Sequence, residues 1–176
     1  MPTLQIILNR GAVAASAQRA AMVSIDVVAA ALTAFAEGYL SKPTMPDQFI
    51  QFQIRGPEMT SEERRTMYEN WLLAKGFQEL ARGVRESLEE AAVYLDLISN
   101  PPKRVSTSST LDDLFESRRK RVSRLAFPKL LATVNAGLTS PVSFALEFLS
   151  IQKVRNCLEH RGGVERKEDL DGNGTP

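Results

Sequence analysis

A chain of 176 residues with 43% hydrophobic content has room for one core, and two independent domains would be cramped. Charged residues make up 24% and the formal net charge is +1, which excludes a global pull toward nucleic acid or an anionic membrane and leaves any anion site local. The single cysteine, Cys157, excludes an internal disulfide framework and fits a reducing cytoplasm; with a single histidine beside it, a closed zinc site of nitrogen and sulfur ligands cannot be assembled within one chain.

Apolar residues recur at helical spacing in three long segments, with Gly and Pro mainly between them, which predicts an all-α fold. The expected architecture is a single helical bundle of four to five helices over residues 1–163, followed at 164–176 by a flexible tail or a truncated C-terminal extension. No cofactor motif and no metal site is read from the residues.

The first helix is expected from about Ala15 to Tyr39, with Met22, Ile25, Val28 and Leu32 as one stripe. Within it AAMVSIDVVAAALTAFAEG, residues 20–38, imitates a secretory leader and its cleavage site. Asp26 interrupts the apolar run, and no short basic leader precedes it, so the segment reads as an Ala-rich core helix. The same aspartate and the short span argue against a membrane helix, and no membrane partner is expected.

SKPTMPDQF then breaks the pattern with two prolines. Alternation at Ile50, Phe52 and Ile54 predicts a short extended segment or a loop packed against the helices. Thr60 or Ser61, followed by Glu62 and Glu63, marks the next helix start, with acidic residues at the positive end of the helix dipole. This second helix runs to about Ser99, and its stripe passes through Met67, Trp71, Ala81, Leu88, Leu95 and Ile98.

NPPKRVSTSST, residues 100–110, reads as a solvated loop. A third helix begins near Thr110 or Leu111, holds Asp112 and Asp113 in its first turn, and continues toward Leu138, kinked or split at Pro128. A fourth starts around Ser140 or Pro141, carries Phe144, Leu146, Phe148, Leu149 and Ile151, and ends on Gly162 and Gly163 in a left-handed cap.

Two polar constellations carry candidate chemistry. In ESRRKRVSR, Arg118, Arg121 and Arg124 step by three, a spacing that lets a helix face follow a nucleic-acid backbone. The commoner use of such a run is a solvated surface balanced here by Asp112, Asp113 and Glu116, and no aromatic residue interleaves it to stack bases.

The second constellation is VRNCLEHRGG, residues 154–163, at the end of the last helix. Asn156 and His160 are four apart and share a face, while Arg155 is five before His160, about 140° round the axis, and is long enough to reach it. A guanidinium, an amide and an imidazole on one surface suit metal-free RNA cleavage: a base takes the 2′-OH proton, an acid protonates the leaving 5′-oxygen, and a cation stabilises the crowded phosphate. One histidine cannot readily serve as both acid and base in one step, so the chemistry predicts a symmetric dimer. Arg161 would offset the negative helix end that repels a phosphate. The plain alternative is a polar helix terminus in which Arg155 pairs with Glu159 and His160 caps carbonyls. Cys157 reads as a buried structural thiol rather than a nucleophile.

Arg155-Asn156, three intervening residues and His160, in the final long helix of an all-α chain, resemble the signature of the HEPN superfamily. The resemblance implies a bundle of four or five helices, frequent homodimerisation and, in many members, metal-independent endoribonuclease activity in toxins, RNA processing or antiviral defence. It also implies roles: Arg155 for phosphate contact and transition-state charge, Asn156 for orienting the site, His160 for proton transfer. The alternative from a different class is a non-catalytic helical module that binds nucleotides, RNA or protein, such as an antitoxin-like or regulatory partner.

Overall fold

Asn9 starts the first helix, its side chain accepting the Gly11 amide at 3.0 Å, so α1 (Arg10–Ala36) begins about one turn before the expected Ala15. It closes at Gly38, whose φ of 84° suits a residue without a Cβ. The structure is a computed structural model, and it describes residues 9–38, 60–102 and 108–161, with the side chains of residues 10, 108–110, 160 and 161 outside that description. Ile50, Phe52 and Ile54, the paired glycines at 162 and 163, and the tail at 164–176 lie outside the described residues. Among the described residues every regular element is an α-helix, five in all.

The start of α2 (Ser61–Ser99) is a capping box. Thr60 Oγ1 accepts the Glu63 amide at 3.2 Å and Glu63 Oε2 accepts the Thr60 amide at 2.8 Å, so two donors left unpaired by the helix geometry are satisfied. The Thr60 amide and, as the smaller cause, the Thr60 hydroxyl, which donates to the same Glu63 Oε2 at 2.9 Å, hold the Glu63 carboxyl below the usual glutamate range. At 39 residues α2 is the axis of the fold, and every other helix packs on it.

α1 and α2 form an antiparallel hairpin. Phe35 lies against Tyr68 with ring centroids 6.4 Å apart, Val28 meets Gly76, Ala20 meets Gly83, and the Ala17 amide donates to Ser87 Oγ at 3.0 Å. The contact is made of small residues, because the two glycines on α2 let the helix backbones approach closely. This selects a different face of α1 from the expected stripe. Val28 and Leu32 are half-buried, but Met22 (65% exposed) and Ile25 (66%) point away from α2. The core-helix reading of α1 is corrected accordingly: it packs on α2 along one side and leaves an apolar side open. The span argument also changes, since Gly11–Ala36, with mean hydropathy 1.6, is long and apolar enough to cross a bilayer.

The core lies at the other end of α2. Leu88, Ala92, Val93 and Leu97 meet Val122 of α3 (Ser108–Ser123) and Phe127, Leu130, Leu131 and Val134 of α4 (Phe127–Ala136). Leu130 is completely buried. The predicted α2 stripe is therefore right in its middle and wrong at its ends: Met67, Trp71 and Ile98 are exposed, and Leu72, Ala92 and Val93 take the buried places. The buried side of α2 differs along its length because α1 covers one side from Tyr68 to Ser87, while α3, α4 and α5 pack against its second half.

Pro128 does mark a split, with the break just before it. α3 stops at Ser123, and Pro128 occupies the first turn of α4, where its missing N–H costs nothing. Arg85 of α2 stabilises the break by donating from Nη2 to the carbonyls of Ser123 (3.1 Å) and Leu125 (2.9 Å). Because α3 begins at Ser108, Asp112 and Asp113 sit beyond its first turn. The last helix, α5 (Ala145–Arg161), starts later than Ser140 or Pro141. Asn135 Oδ1 accepts the Val142 amide at 2.8 Å and ties down the connection, Phe144 takes a left-handed φ of 62°, and the helix opens after it. Phe144 and Leu146 are exposed.

Candidate functional site at the end of the last helix

Residues Ala145, Phe148 and Leu149 of α5 pack on the core, and one turn later the buried Gln152 donates from Nε2 to Ala81 O of α2 at 3.4 Å. These contacts hold the helix that carries the candidate motif. Cys157 is buried, the placement a structural thiol requires. Asn156 and Glu159 are exposed.

Arg155 is the centre of the arrangement. Its Nη1 donates to Asn156 Oδ1 at 3.2 Å, and its Nη2 forms an ion pair with Glu159 Oε2 one turn on. The Arg155 side chain is 30% exposed and that of Glu159 is 39% exposed. An anion can therefore reach the guanidinium from solvent, in competition with the Glu159 carboxylate. The structure brings Arg155 and Asn156 together, and it also forms the Arg155–Glu159 pair of the plain alternative. His160 and Arg161 occupy the last two positions of α5, and their side chains lie outside the described set. The unbroken helix keeps His160 one turn after Asn156.

The basic run of α3 is arranged differently. Arg118, only 11% exposed, places Nη1 2.9 Å from Asp96 Oδ2 and donates from Nη2 to Asn100 O at 2.8 Å. Nη1 is close to the carboxylate but off the hydrogen-bonding axis, so the attraction there is chiefly ionic. Arg121 Nη2 reaches the same Asp96 oxygen at 2.6 Å. Both arginines thus fasten α3 to the end of α2, and Asn100 O is the carbonyl of the α2 C-cap. Arg119 pairs with Glu90 at 3.2 Å and Glu116 at 3.3 Å. Only Arg124 of the three predicted phosphate contacts is exposed without a partner among the described residues. The sequence suggested Asp112, Asp113 and Glu116 as balancing charges; Glu116 does pair with Arg119, and the other partners are Asp96 and Glu90 of α2.

A groove of about 690 Å³ between α1, α2 and α3 is lined by Glu86, Glu89, Glu90, Glu116, Arg119 and Lys120 among others, and neither Arg155 nor Asn156 borders it. Its carboxylates do not favour a phosphate. Among the described residues no cluster of three or more His, Cys, Asp or Glu side chains is placed to hold a metal ion. No family model, curated protein or solved structure matches the chain.

Proposed function

We propose that this protein is a HEPN-like, metal-independent endoribonuclease that acts as a homodimer, with Arg155, Asn156 and His160 of each chain contributing to one cleft. The observation that carries the reading is the Arg155 guanidinium, partly open to solvent and hydrogen-bonded to Asn156 on the turn that leads to His160. The Asn156 amide oxygen accepts from Nη1 and fixes that edge of the guanidinium, and an incoming phosphate takes the place of the Glu159 carboxylate at Nη2. One imidazole takes the 2′-OH proton while the oxygen attacks phosphorus; the imidazolium of the second chain protonates the departing 5′-oxygen. The products are a 2′,3′-cyclic phosphate end and a 5′-hydroxyl end. Arg155 stabilises the negative charge that builds on the phosphate in between.

A second reading, a non-catalytic helical interaction module, is favoured by the Arg155–Glu159 pair, since a carboxylate already occupies the guanidinium. Incubating wild type and His160→Ala with mixed RNAs in EDTA separates the two. The nuclease yields cyclic phosphate ends with wild type and none with His160→Ala. Equal inertness of both, at concentrations where the chain is dimeric, overturns the nuclease and leaves the module.

A further inference from the structure

Trp71 belongs to the stripe that the sequence assigns to the core, yet it is 62% exposed, with Met67 exposed one turn before it. The ring has a cation beside it. Lys75, one turn on, stands with Nζ 5.8 Å from the ring centroid and donates to Gln78 Oε1 at 2.9 Å. Arg64, two turns before Trp71, has no ion-pair partner among the described residues. Arg64, Tyr68, Trp71, Lys75 and Gln78 follow one another in steps of three and four, so they form one strip of α2, and it holds no carboxylate. Glu62 lies on the opposite side of the helix, Glu63 is engaged by the cap, Glu69 by Arg65 and Glu79 by Arg82. A cation before and after an exposed indole suits a nucleic-acid strand that stacks a base there.

The strip opens toward the candidate site. Phe148 and Leu149 pack on the core around Leu88 and Leu97, and Gln152 reaches Ala81, so α5 runs antiparallel to α2. Measured from that bond at about 1.5 Å per residue, Trp71 stands about 9 Å farther along the pair than Asn156. At about 100° per residue, Asn156 is turned about 40° and Trp71 about 80° from the line joining the two helices, and in an antiparallel pair equal senses of rotation lead to the same side. Both therefore border one groove between α5 and α2. Helix α3 leaves that half of the groove open, because it is fastened farther along α2, at Arg85, Glu90 and Asp96.

We propose that Trp71 stacks the base of a nucleotide next to the phosphate held by Arg155, with Lys75 and Arg64 on the flanking phosphates, so that the substrate is single-stranded RNA. A duplex keeps its bases paired and cannot offer one to the indole. The inference rests on the RNA reading of the Arg155 site and adds the residue that selects the form of the strand. An exposed Trp with a Met beside it also suits a protein contact. The flanking cations and the lack of a carboxylate on the strip favour the polyanion.

The chain has one tryptophan, so indole emission reports on this position alone. The probe is a single-stranded, mixed-sequence oligonucleotide with 2′-O-methyl groups, which lacks the attacking hydroxyl and survives an active nuclease. It is expected to quench the indole of the wild-type full chain saturably, whereas inorganic polyphosphate and the same sequence in a duplex leave it unchanged. Trp71→Ala is expected to weaken binding of the labelled oligonucleotide, read by anisotropy, at least about fivefold, and Trp71→Phe to stay within about threefold of wild type. Both variants should keep the thermal midpoint within about 2 °C, which separates lost stacking from unfolding. Quenching without cleavage of ordinary RNA in EDTA keeps the stacking site and removes the nuclease. Cleavage without quenching, or with Trp71→Ala binding as wild type does, keeps the nuclease and overturns the stacking site; absence of both overturns both. Emission that shifts with protein concentration and not with oligonucleotide assigns the indole to a protein contact and overturns the proposal.

Discussion

Gly83 is where the α1–α2 hairpin is most exposed to a single methyl group. A Cβ built there would lie 2.3 Å from Ala20 Cβ, 2.8 Å from Ser16 O and 3.3 Å from Ala17 Cα. Ordinary carbon contacts sit at about 3.5–4.0 Å, so α1 must retreat by more than about 1 Å, and two of the three obstacles are backbone atoms that no rotamer change can move. Overpacking of this kind costs about 1–3 kcal/mol. Retreat also stretches the Ala17 amide to Ser87 Oγ bond, 3.0 Å long here and contributing about 1 kcal/mol. Against this, Gly→Ala in a helix interior gains about 1 kcal/mol. Gly83→Ala is thus expected to lose about 1–3 kcal/mol net, a Tm drop of roughly 2–12 °C for a chain of this size. Gly76→Ala is the control: its Cβ would meet Val28 Cγ2 at 2.8 Å, but the other near atoms, both of Ser24, lie at 3.9 and 4.0 Å. It should cost less than Gly83→Ala by about 1 kcal/mol or more, since a single methyl must yield and not a backbone. Urea and thermal unfolding measure both. If Gly83→Ala raises the stability by its helix propensity, α1 does not lie on α2 in this register and the hairpin is wrong.

Three further outcomes are expected. Asp96→Ala leaves Arg118 without its carboxylate in a largely buried place and releases Arg121, so the urea midpoint should fall by an amount worth about 1–3 kcal/mol, with Asp112→Ala near zero; equal small effects would show that α3 is not fastened there. Glu159→Gln removes the carboxylate that competes at Arg155, and RNA oligonucleotide binding should tighten about two- to fivefold; weaker binding would mean that Glu159 assists the site. The Glu63 carboxyl should titrate below the ordinary value of about 4.3 when followed by NMR. Because its folded pKa is depressed, the capping box stabilises the helix above the unfolded pKa and loses that contribution as pH falls through the folded one. Glu63→Ala should therefore flatten the acid side of the stability curve, and an unshifted titration would argue against the capping bonds.

Helix content was legible along the chain because its signals are local. Thr60 or Ser61 with Glu62 and Glu63 marks a helix start within four residues, Pro128 interrupts a helix through its missing N–H alone, and the 3.6-residue rhythm of α2 needs no partner to be seen. The spacing of Arg155, Asn156 and His160 belongs to the same class, since one unbroken helix converts it directly into angles. What each helix turns toward is not local. Met22 and Ile25 are as apolar as Val28, yet the glycines of α2 accept only the narrow side of α1 and send those two to the surface. Arg118 and Arg121 look like a free basic face until Asp96, more than twenty residues back, is brought beneath them. Backbone chemistry acts between neighbours in sequence, so the elements could be read from the residues alone; burial and charge pairing act between neighbours in space, so the faces, the partners of the arginines and the open side of α1 were decided only when the helices packed.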